Sequence, residues 1–291
     1  MYCRTIHPMC MGFGCNAVGV TGCRIIDSPR ERLIAIITNT FVPCNGRFPT
    51  LIAIITMFFL GNITGISQSI LSTILLTIVI IFSIFITLLI SKILSATLLK
   101  GVPSSFTLEL PPYRVPQFGK VIIRSIFNRT IFVLGRALIV AAPCGILIWI
   151  LANLNVNDQS ILSYCTAFLD PFAKLFGLDG VIFMAFILGF PANEIVLPII
   201  LMTYLSGGKL ISFDNLFDLK QLLIANGWTW VTAISTMLFS LMHWPCSTTC
   251  LTIKKETNGM RWMLISILIP TITGLTICFI FNQMIHLIGI A

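Results

Sequence analysis

One uninterrupted apolar run limits the folds open to this chain more than any other feature of its sequence. Ile70–Leu99 is 30 residues long and holds a single charged side chain, Lys92. About 20 mostly apolar residues are enough to cross the hydrocarbon core of a bilayer as a helix. A run this long and this apolar therefore predicts a transmembrane helix.

Further apolar runs predict that the chain crosses the membrane several times. They are Ile131–Leu154, Trp262–Ile285 and Trp228–Cys250, the last interrupted by Pro245. Charged residues make up 10% of the chain, whereas soluble domains carry roughly 25%. This composition excludes a soluble enzyme, a nucleic-acid-binding protein and a disordered tail as interpretations of the whole chain. The predicted fold class is an all-α polytopic membrane protein.

The net charge of +8 is best explained by loops, because Lys and Arg accumulate in the cytoplasmic loops of membrane proteins. Residues 101–130 hold four basic side chains against one acid, Glu109. We therefore expect them to form a cytoplasmic linker, whose amphipathic segment Phe118–Arg129 lies along the membrane surface.

Two other apolar stretches are interrupted by glycine and proline. Leu33–Ile66 contains PCNGRFP, and Val181–Leu205 contains GFPANE. The basic residues Lys254 and Lys255 are expected on the inside, which requires a re-entrant hairpin in the second stretch or an additional crossing within Ser206–Gly227. A hairpin or broken helix is the favoured interpretation.

The interruptions recur in the same order in both halves of the chain. GFGCNAVG (Gly12–Gly19) is followed by PCNGR (Pro43–Arg47), and GFPANE (Gly189–Glu194) is followed by WPCSTTC (Trp244–Cys250). This order predicts two repeats, at residues 1–100 and 131–253, followed by a terminal basic loop and a last transmembrane helix at 254–291. The residues expected at the helix breaks are Gly14, Pro43, Gly46, Gly189, Pro191, Asn193 and Pro245.

Broken helices at membrane depth indicate a binding site, because irregular backbone is tolerated there only inside protein or along a cavity. Glu194 is the single acid between Gly180 and Asp214, and a carboxylate at the centre of a bilayer costs about 2.5–3.5 kcal/mol. A cation or proton path is one interpretation of Glu194, and capping of the helix that resumes after it is the other. We expect Arg47 either to extend to the membrane surface or to pair with Glu194.

Sulfur ligands accompany these breaks. Cys44 and Cys246 each follow a proline, Cys15 lies in the first break, and Cys250 comes four residues after Cys246. Thiolates suit late divalent metals, so these cysteines are candidate ligands along an ion path. His243 could add an imidazole or could be a packed core residue. No GxxxxGK[ST], HExxH or GxSxG motif occurs, so we expect no catalysis by this chain.

Four segments resemble the membrane region of the ferrous iron transport protein B family, in the order found in that family. They are Gly12–Ile54, ELPPYRVP (Glu109–Pro116), GFPANEIVLP (Gly189–Pro198) and Trp244–Trp262. The resemblance implies two Gate-type repeats with broken or re-entrant helices in a multi-pass protein of the bacterial inner membrane that imports Fe²⁺. It also implies that Cys44, Cys246 and Glu194 lie near the ion path.

The same resemblance implies partners, and this sequence also departs from the family pattern at two points. Fe²⁺ would be the transported substrate and no cofactor would be bound permanently. The family's cytoplasmic GTP-binding domain precedes its membrane region and is missing from this sequence, so a separate GTP-binding part and small accessory proteins are expected partners. A homo-oligomer is compatible with the resemblance, and a nucleic-acid partner is not expected. The residue before the acid is often Lys in the family but is Asn193 here.

Two alternatives stay open from the sequence. Gate-type repeats also resemble parts of nucleoside carriers, so a transporter of nucleosides or other small solutes is the first. An inactive membrane remnant left by truncation is the second.

Overall fold

A computed structural model describes residues 2–61, 65–97, 131–156, 159–205 and 216–289, together with residues 119 and 123. The described chain is helical apart from turns and one two-residue antiparallel pair, β1 (Asn155–Val156) with β2 (Gln159–Ser160). This confirms the predicted all-α fold class. The predicted linker at 101–130, with its amphipathic segment, lies outside the described residues except for positions 119 and 123.

The described part of the first half contains five helices, several of them short. They are α1 (Tyr2–Gly14), α2 (Asn16–Gly22), α3 (Pro29–Thr38), α4 (Phe48–Ile54) and α5 (Ile66–Ala96). Short 3₁₀ turns extend α2 over Cys23–Ile25 and α3 over Asn39–Phe41, and a π-helical turn extends α4 over Ile55–Phe59. Among these described helices, α5 is the longest, with 31 residues.

The second half contains eight described helices. They are α6 (Ile131–Asn153), α7 (Ile161–Lys174), α8 (Gly180–Leu188), α9 (Val196–Tyr204), α10 (Leu216–Ala225), α11 (Trp230–Met242), α12 (Ser247–Thr257) and α13 (Met260–Ile288). A 3₁₀ turn at Asn193–Ile195 leads into α9.

Two described helices, α5 and α13, are long and apolar enough to cross a membrane. A third span would be formed if Asp218–Ala225 and Trp230–Thr257, which are bent by 101° at a short break, counted as one. Large apolar side chains are exposed along α5 at helical spacing, as expected for a surface that faces lipid. They include Ile70, Ile74, Ile78, Ile81 and Phe85.

The short helices begin at residues suited to capping. Ser28 precedes Pro29 and its side chain accepts a hydrogen bond from Glu31 N. Asp179 caps α8 by accepting from Ile182 N at 2.6 Å, and Thr229 caps α11 by accepting from Thr232 N at 3.3 Å. Such caps satisfy backbone donors that a helix start leaves unpaired. The chain can therefore start helices directly beside its breaks.

The apolar core lies where α4, α8, α9 and α11 pack together. Phe186 of α8 and Phe239 of α11 are both fully buried, and their rings meet edge to face with centroids 4.9 Å apart. Leu51 and Ile54 of α4 belong to the same cluster. This core holds the broken segments of both halves side by side.

Asn39 is wedged between α1 and α2. Its side chain is fully buried, and Nδ2 donates to Asn16 O at 2.9 Å. A Cβ atom added at Gly12 or at Gly19 would lie 2.5 Å from Asn39 Oδ1. The two glycines therefore leave the space that this amide needs at the first break.

We expect Gly19→Ala to lower the free energy of unfolding by about 1–3 kcal/mol, because overpacking of a filled site displaces its neighbours. Gly14→Ala is the matched control, since a Cβ atom there would meet nothing within 4 Å. Thermal unfolding of the purified protein in detergent measures both variants. Equal melting temperatures for the two variants would show that Asn39 does not fill the space beside Gly19.

Candidate functional site

The first helix break has the same backbone geometry in both halves. Cys15, between α1 and α2, has φ −154° and ψ 125°, and Ala192, between α8 and the turn before α9, has φ −151° and ψ 124°. Each is followed by a buried asparagine, Asn16 or Asn193. The predicted interruption of Gly189–Pro198 is confirmed, because helix α8 ends at Leu188 and helical backbone resumes at Asn193.

The second break of each half, at Cys44 or Cys246, is hydrogen-bonded to the first break of the same half. Asn45 N, directly after Cys44, donates to Gly14 O at 3.3 Å. Ser247 N, directly after Cys246, donates to Phe190 O at 2.9 Å, and its Oγ donates to Pro191 O at 3.3 Å. The protein thus satisfies carbonyls that the breaks release, as a lipid environment requires. This shared arrangement supports a duplicated unit, whose boundaries stay a prediction.

The breaks of the two halves also contact each other. Asn193 Nδ2 lies 3.8 Å from Cys44 Sγ and donates to it. A Cβ atom added at Gly46 would lie 3.1 Å from Glu194 Cγ, so the acidic side chain rests against Gly46. The prediction that the second break faces Leu33–Pro49 is confirmed, and its depth in the membrane stays a prediction.

Candidate thiols from both halves gather at this junction. Cys44 is contacted by Asn193 of the second half, and Cys246 directly precedes Ser247, whose backbone N donates to Phe190 O. Cys15 directly follows Gly14, whose carbonyl accepts from Asn45 N beside Cys44. Cys44 is 8% exposed and Cys246 is half-buried. Cys246 Sγ is 3.2 Å from Thr249 Oγ1, and Cys250 Sγ donates to Pro245 O at 3.5 Å. The junction therefore offers sulfur atoms from two repeats around one region.

Glu194 supplies a negative charge at the junction, directly after Asn193, which contacts Cys44, and against Gly46. It is exposed and stands in the first turn of the Asn193–Ile195 helix that leads into α9. A carboxylate in a first helical turn is stabilised by the helix dipole. Helix capping and an ion path are therefore compatible at this position, since the side chain is not enclosed.

His243 is packed in the core at the end of α11. It is 1% exposed, and its ring lies 4.9 Å from that of Phe186. Its Nδ1 is 2.9 Å from Ser240 O and its Nε2 is 3.3 Å from Asn193 Oδ1. Both ring nitrogens face protein oxygens, so His243 would have to leave these partners before it could bind an ion.

The expected pairing of Arg47 with Glu194, or its extension to the membrane surface, is wrong. Arg47 is 1% exposed and donates to backbone carbonyls of Thr40, Leu241 and His243. The interrupted helices present these acceptors inside the protein, and the guanidinium binds them in preference to the carboxylate.

Within the described residues, no group of three or more His, Cys, Asp and Glu side chains is arranged to hold a metal ion. The ion-path roles of Cys15, Cys44, Glu194, His243, Cys246 and Cys250 stay predictions. All the expected break residues lie at interruptions or helix ends: Gly14, Pro43, Gly46, Gly189, Pro191, Asn193 and Pro245.

Two residues of this region were not predicted from the sequence. Asn39 Nδ2 donates to Asn16 O at the first break. Asn16 could have been identified from the sequence, because an asparagine directly follows the first break of each half. A cavity of about 940 Å³ lies elsewhere, at the ends of α7, α8, α11 and α13, and its lining includes Asp170, Asp179 and His286. None of the predicted site residues lines that cavity.

Comparison with known proteins gives two kinds of similarity. A family profile described as "Gate: Nucleoside recognition" matches residues 72–260. The protein named Fe(2+) transporter FeoB from Staphylococcus aureus (strain MSSA476) is 30% identical over 292 residues, which cover 98% of this chain and 41% of the relative. The protein of the same name from Leptospira interrogans (strain Fiocruz L1-130) is 27% identical over 96% of this chain and 43% of the relative.

An archaeal protein of that name, from Methanocaldococcus jannaschii, is 25% identical over 91% of this chain and 39% of the relative. The chain therefore spans about two fifths of the length of these curated relatives. No solved structure matches it. Because the family profile covers most of a chain whose apolar helices meet at paired breaks, the protein belongs to the Gate (nucleoside recognition) family and is a multi-pass membrane protein similar to part of the Fe(2+) transporter FeoB.

Proposed function

We propose that this chain carries ferrous iron across a membrane through the junction of its two broken repeats. The observation that carries the proposal is that the breaks holding Cys44, Cys246 and Glu194 meet. Asn193, next to Glu194, contacts Cys44, the Glu194 side chain rests against Gly46, and Ser247, next to Cys246, binds the Phe190 and Pro191 carbonyls. The names of the similar curated proteins support Fe²⁺ as the substrate.

The chemistry of the junction suits a transported ion. Thiolate sulfur favours late divalent metals over Mg²⁺ or Ca²⁺, and a carboxylate adds charge compensation. Conduction needs binding that is favourable enough to admit an ion and weak enough to release it. A few separate ligands that do not form a closed metal cage fulfil that need better than a structural metal site would. Fe²⁺ is the substrate in this proposal, with no permanently bound cofactor.

The proposed setting is the inner membrane of a bacterium, with a separate GTP-binding part and small accessory proteins as partners, and a homo-oligomer is compatible with it. The chain spans about two fifths of its curated relatives, and the remaining length of those relatives supports the idea of further parts. The 291-residue chain has no phosphate-binding loop of the GxxxxGK[ST] type, and we expect the purified chain to hydrolyse no GTP.

Uptake of radioactive Fe²⁺ under reducing conditions tests the proposal. The chain is produced with the GTP-binding part in cells that lack other ferrous uptake, and cells with the GTP-binding part alone are the control. We expect uptake only when the chain is present. Equal uptake with and without the chain would overturn the proposal.

Nucleoside transport is the second candidate, favoured by the description of the matching family profile. A nucleoside site needs several hydrogen-bonding side chains for ribose and base, whereas at this junction Asn193, Ser247 and Thr249 are bonded within the protein. The guanidinium of Arg47 is likewise bound to carbonyls. Uptake of a labelled nucleoside by the same cells, with no uptake of Fe²⁺, would favour this candidate. Uptake of neither would favour an inactive remnant.

A further inference from the structure

Arg47 is the largest fully buried side chain among the described residues. Its Nη1 donates to Leu241 O at 2.8 Å and to Thr40 O at 3.2 Å, and its Nη2 donates to His243 O at 3.2 Å. No carboxylate within the described ranges forms an ion pair with it. Three backbone carbonyls, contributed by both halves, are its partners instead of an acid.

These carbonyls come from helix ends. Thr40 belongs to the 3₁₀ turn that ends at Phe41, and Leu241 and His243 lie at the end of α11. The last carbonyls of a helix lack partners within it and carry partial negative charge. Several carbonyl oxygens that converge from helix ends form the kind of site that hard cations such as Ca²⁺ and Na⁺ occupy in proteins.

We propose that Arg47 is a built-in cation that fills a carbonyl site between the two repeats. The guanidinium stays charged inside proteins, so it holds the end of α11 against the first repeat without an ion from solution. Because the carbonyl site is already filled, a transported cation is directed to the neighbouring thiols. This second consequence, a role in ion selectivity, rests on the proposed function, whereas the filling of the site does not.

The position of the guanidinium supports this role. Arg47 N donates to Cys44 O at 2.9 Å, and His243, whose carbonyl the guanidinium binds, lies three residues before Cys246, so the filled carbonyl site borders the thiol region. Arg47 Nε has no partner among the described residues, which shows that the two Nη groups make the contacts. A second positive ion at these oxygens would be repelled at short range by the guanidinium that they already bind.

Chemical rescue tests whether the site accepts a cation. The purified chain in detergent carries Arg47→Ala, and its melting temperature is measured with millimolar guanidinium, with Ca²⁺ and with urea, a neutral molecule of the same shape as guanidinium. We expect the variant to melt well below the wild type and guanidinium to restore most of the loss, while urea restores none. Arg24→Ala is the matched control, because Arg24 is exposed and pairs with Glu256 at 2.6 Å.

Arg47→Gln serves as a second variant if Arg47→Ala yields no folded protein. Rescue of either variant by a cation, with no rescue of Arg24→Ala, supports the proposal. If guanidinium and urea act alike on both Arg47 variants, the site is not cation-selective and the proposal is wrong.

Ion competition tests the role in selectivity. We expect Ca²⁺ to inhibit Fe²⁺ uptake at a concentration about tenfold lower in Arg47→Ala than in the wild type, since one added carbonyl site of this kind gives Ca²⁺ a binding place. Arg47→Lys keeps the charge and should keep the wild-type response to Ca²⁺. An unchanged response in all three proteins overturns the selectivity role. Absence of Fe²⁺ uptake in the wild type would overturn the proposed function, while the thermal rescue would still decide whether Arg47 fills a cation site.

Discussion

Replacing Cys44 or Cys246 by serine is expected to lower Fe²⁺ uptake by about tenfold or more. The hydroxyl is a much harder ligand than the thiol, and changes around a metal ion typically cost 10–100-fold in affinity even beyond the direct ligands. The two thiols lie at equivalent points after Pro43 and Pro245, in two breaks that both contact the segment between Phe190 and Asn193. Loss of either one removes half of the sulfur pair that the two repeats provide.

Cys278→Ser is the matched control for this pair. Cys278 is fully buried in α13, and its Sγ donates to Ser235 O at 3.5 Å. It therefore reports what the loss of a core thiol does to folding, without touching the junction. Uptake is compared at equal membrane abundance. Similar uptake by all three variants would show that Cys44 and Cys246 are packing residues.

Replacing Glu194 by glutamine is expected to lower Fe²⁺ uptake by about tenfold while leaving the protein folded. The amide keeps the shape of the side chain, which rests against Gly46, but removes the charge that attracts a divalent cation at the junction. A lost interaction of about 1.4 kcal/mol corresponds to a tenfold change in affinity. A carboxylate about 4 Å from a divalent ion contributes about 2 kcal/mol even at the dielectric constant of water.

The control separates this role from helix capping. Asp218 is also an exposed acid in the first turn of a helix, α10. If Glu194 acts only through the helix dipole, Asp218→Asn and Glu194→Gln should have equally small effects on melting temperature and on uptake. An ion path predicts that only Glu194→Gln lowers uptake.

The helix breaks could be predicted from the sequence because their cause is local. Pro43, Pro191 and Pro245 remove backbone donors, and the glycines beside them allow close contact, so the interruptions appear directly in the residue order. The long apolar runs Ile70–Leu99 and Trp262–Ile285 correctly predicted the two long helices α5 and α13. The shared order of the breaks also predicted that the two halves meet.

The partners at the junction could not be predicted in the same way. The sequence shows Arg47 and Glu194 as opposite charges in apolar surroundings, which suggests a pair, but the carbonyls that Arg47 binds belong to the backbone and have no signature in residue types. His243 illustrates the same limit, because its neighbours Ser240 and Asn193 come together only through the fold.

Protection of thiols by the transported ion tests the central claim most directly, because it needs neither a GTP-binding part nor active transport. The purified chain keeps Cys44 and Cys246, has its other cysteines replaced by serine, and reacts with a small thiol reagent without oxygen, with and without Fe²⁺. A second protein keeps only Cys278. We expect Fe²⁺ to slow the labelling of Cys44 and Cys246 strongly, to slow it less in Glu194→Gln, and to leave Cys278 unchanged. Labelling of Cys44 and Cys246 at the same rate with and without Fe²⁺ would contradict an ion path through the junction of the two repeats.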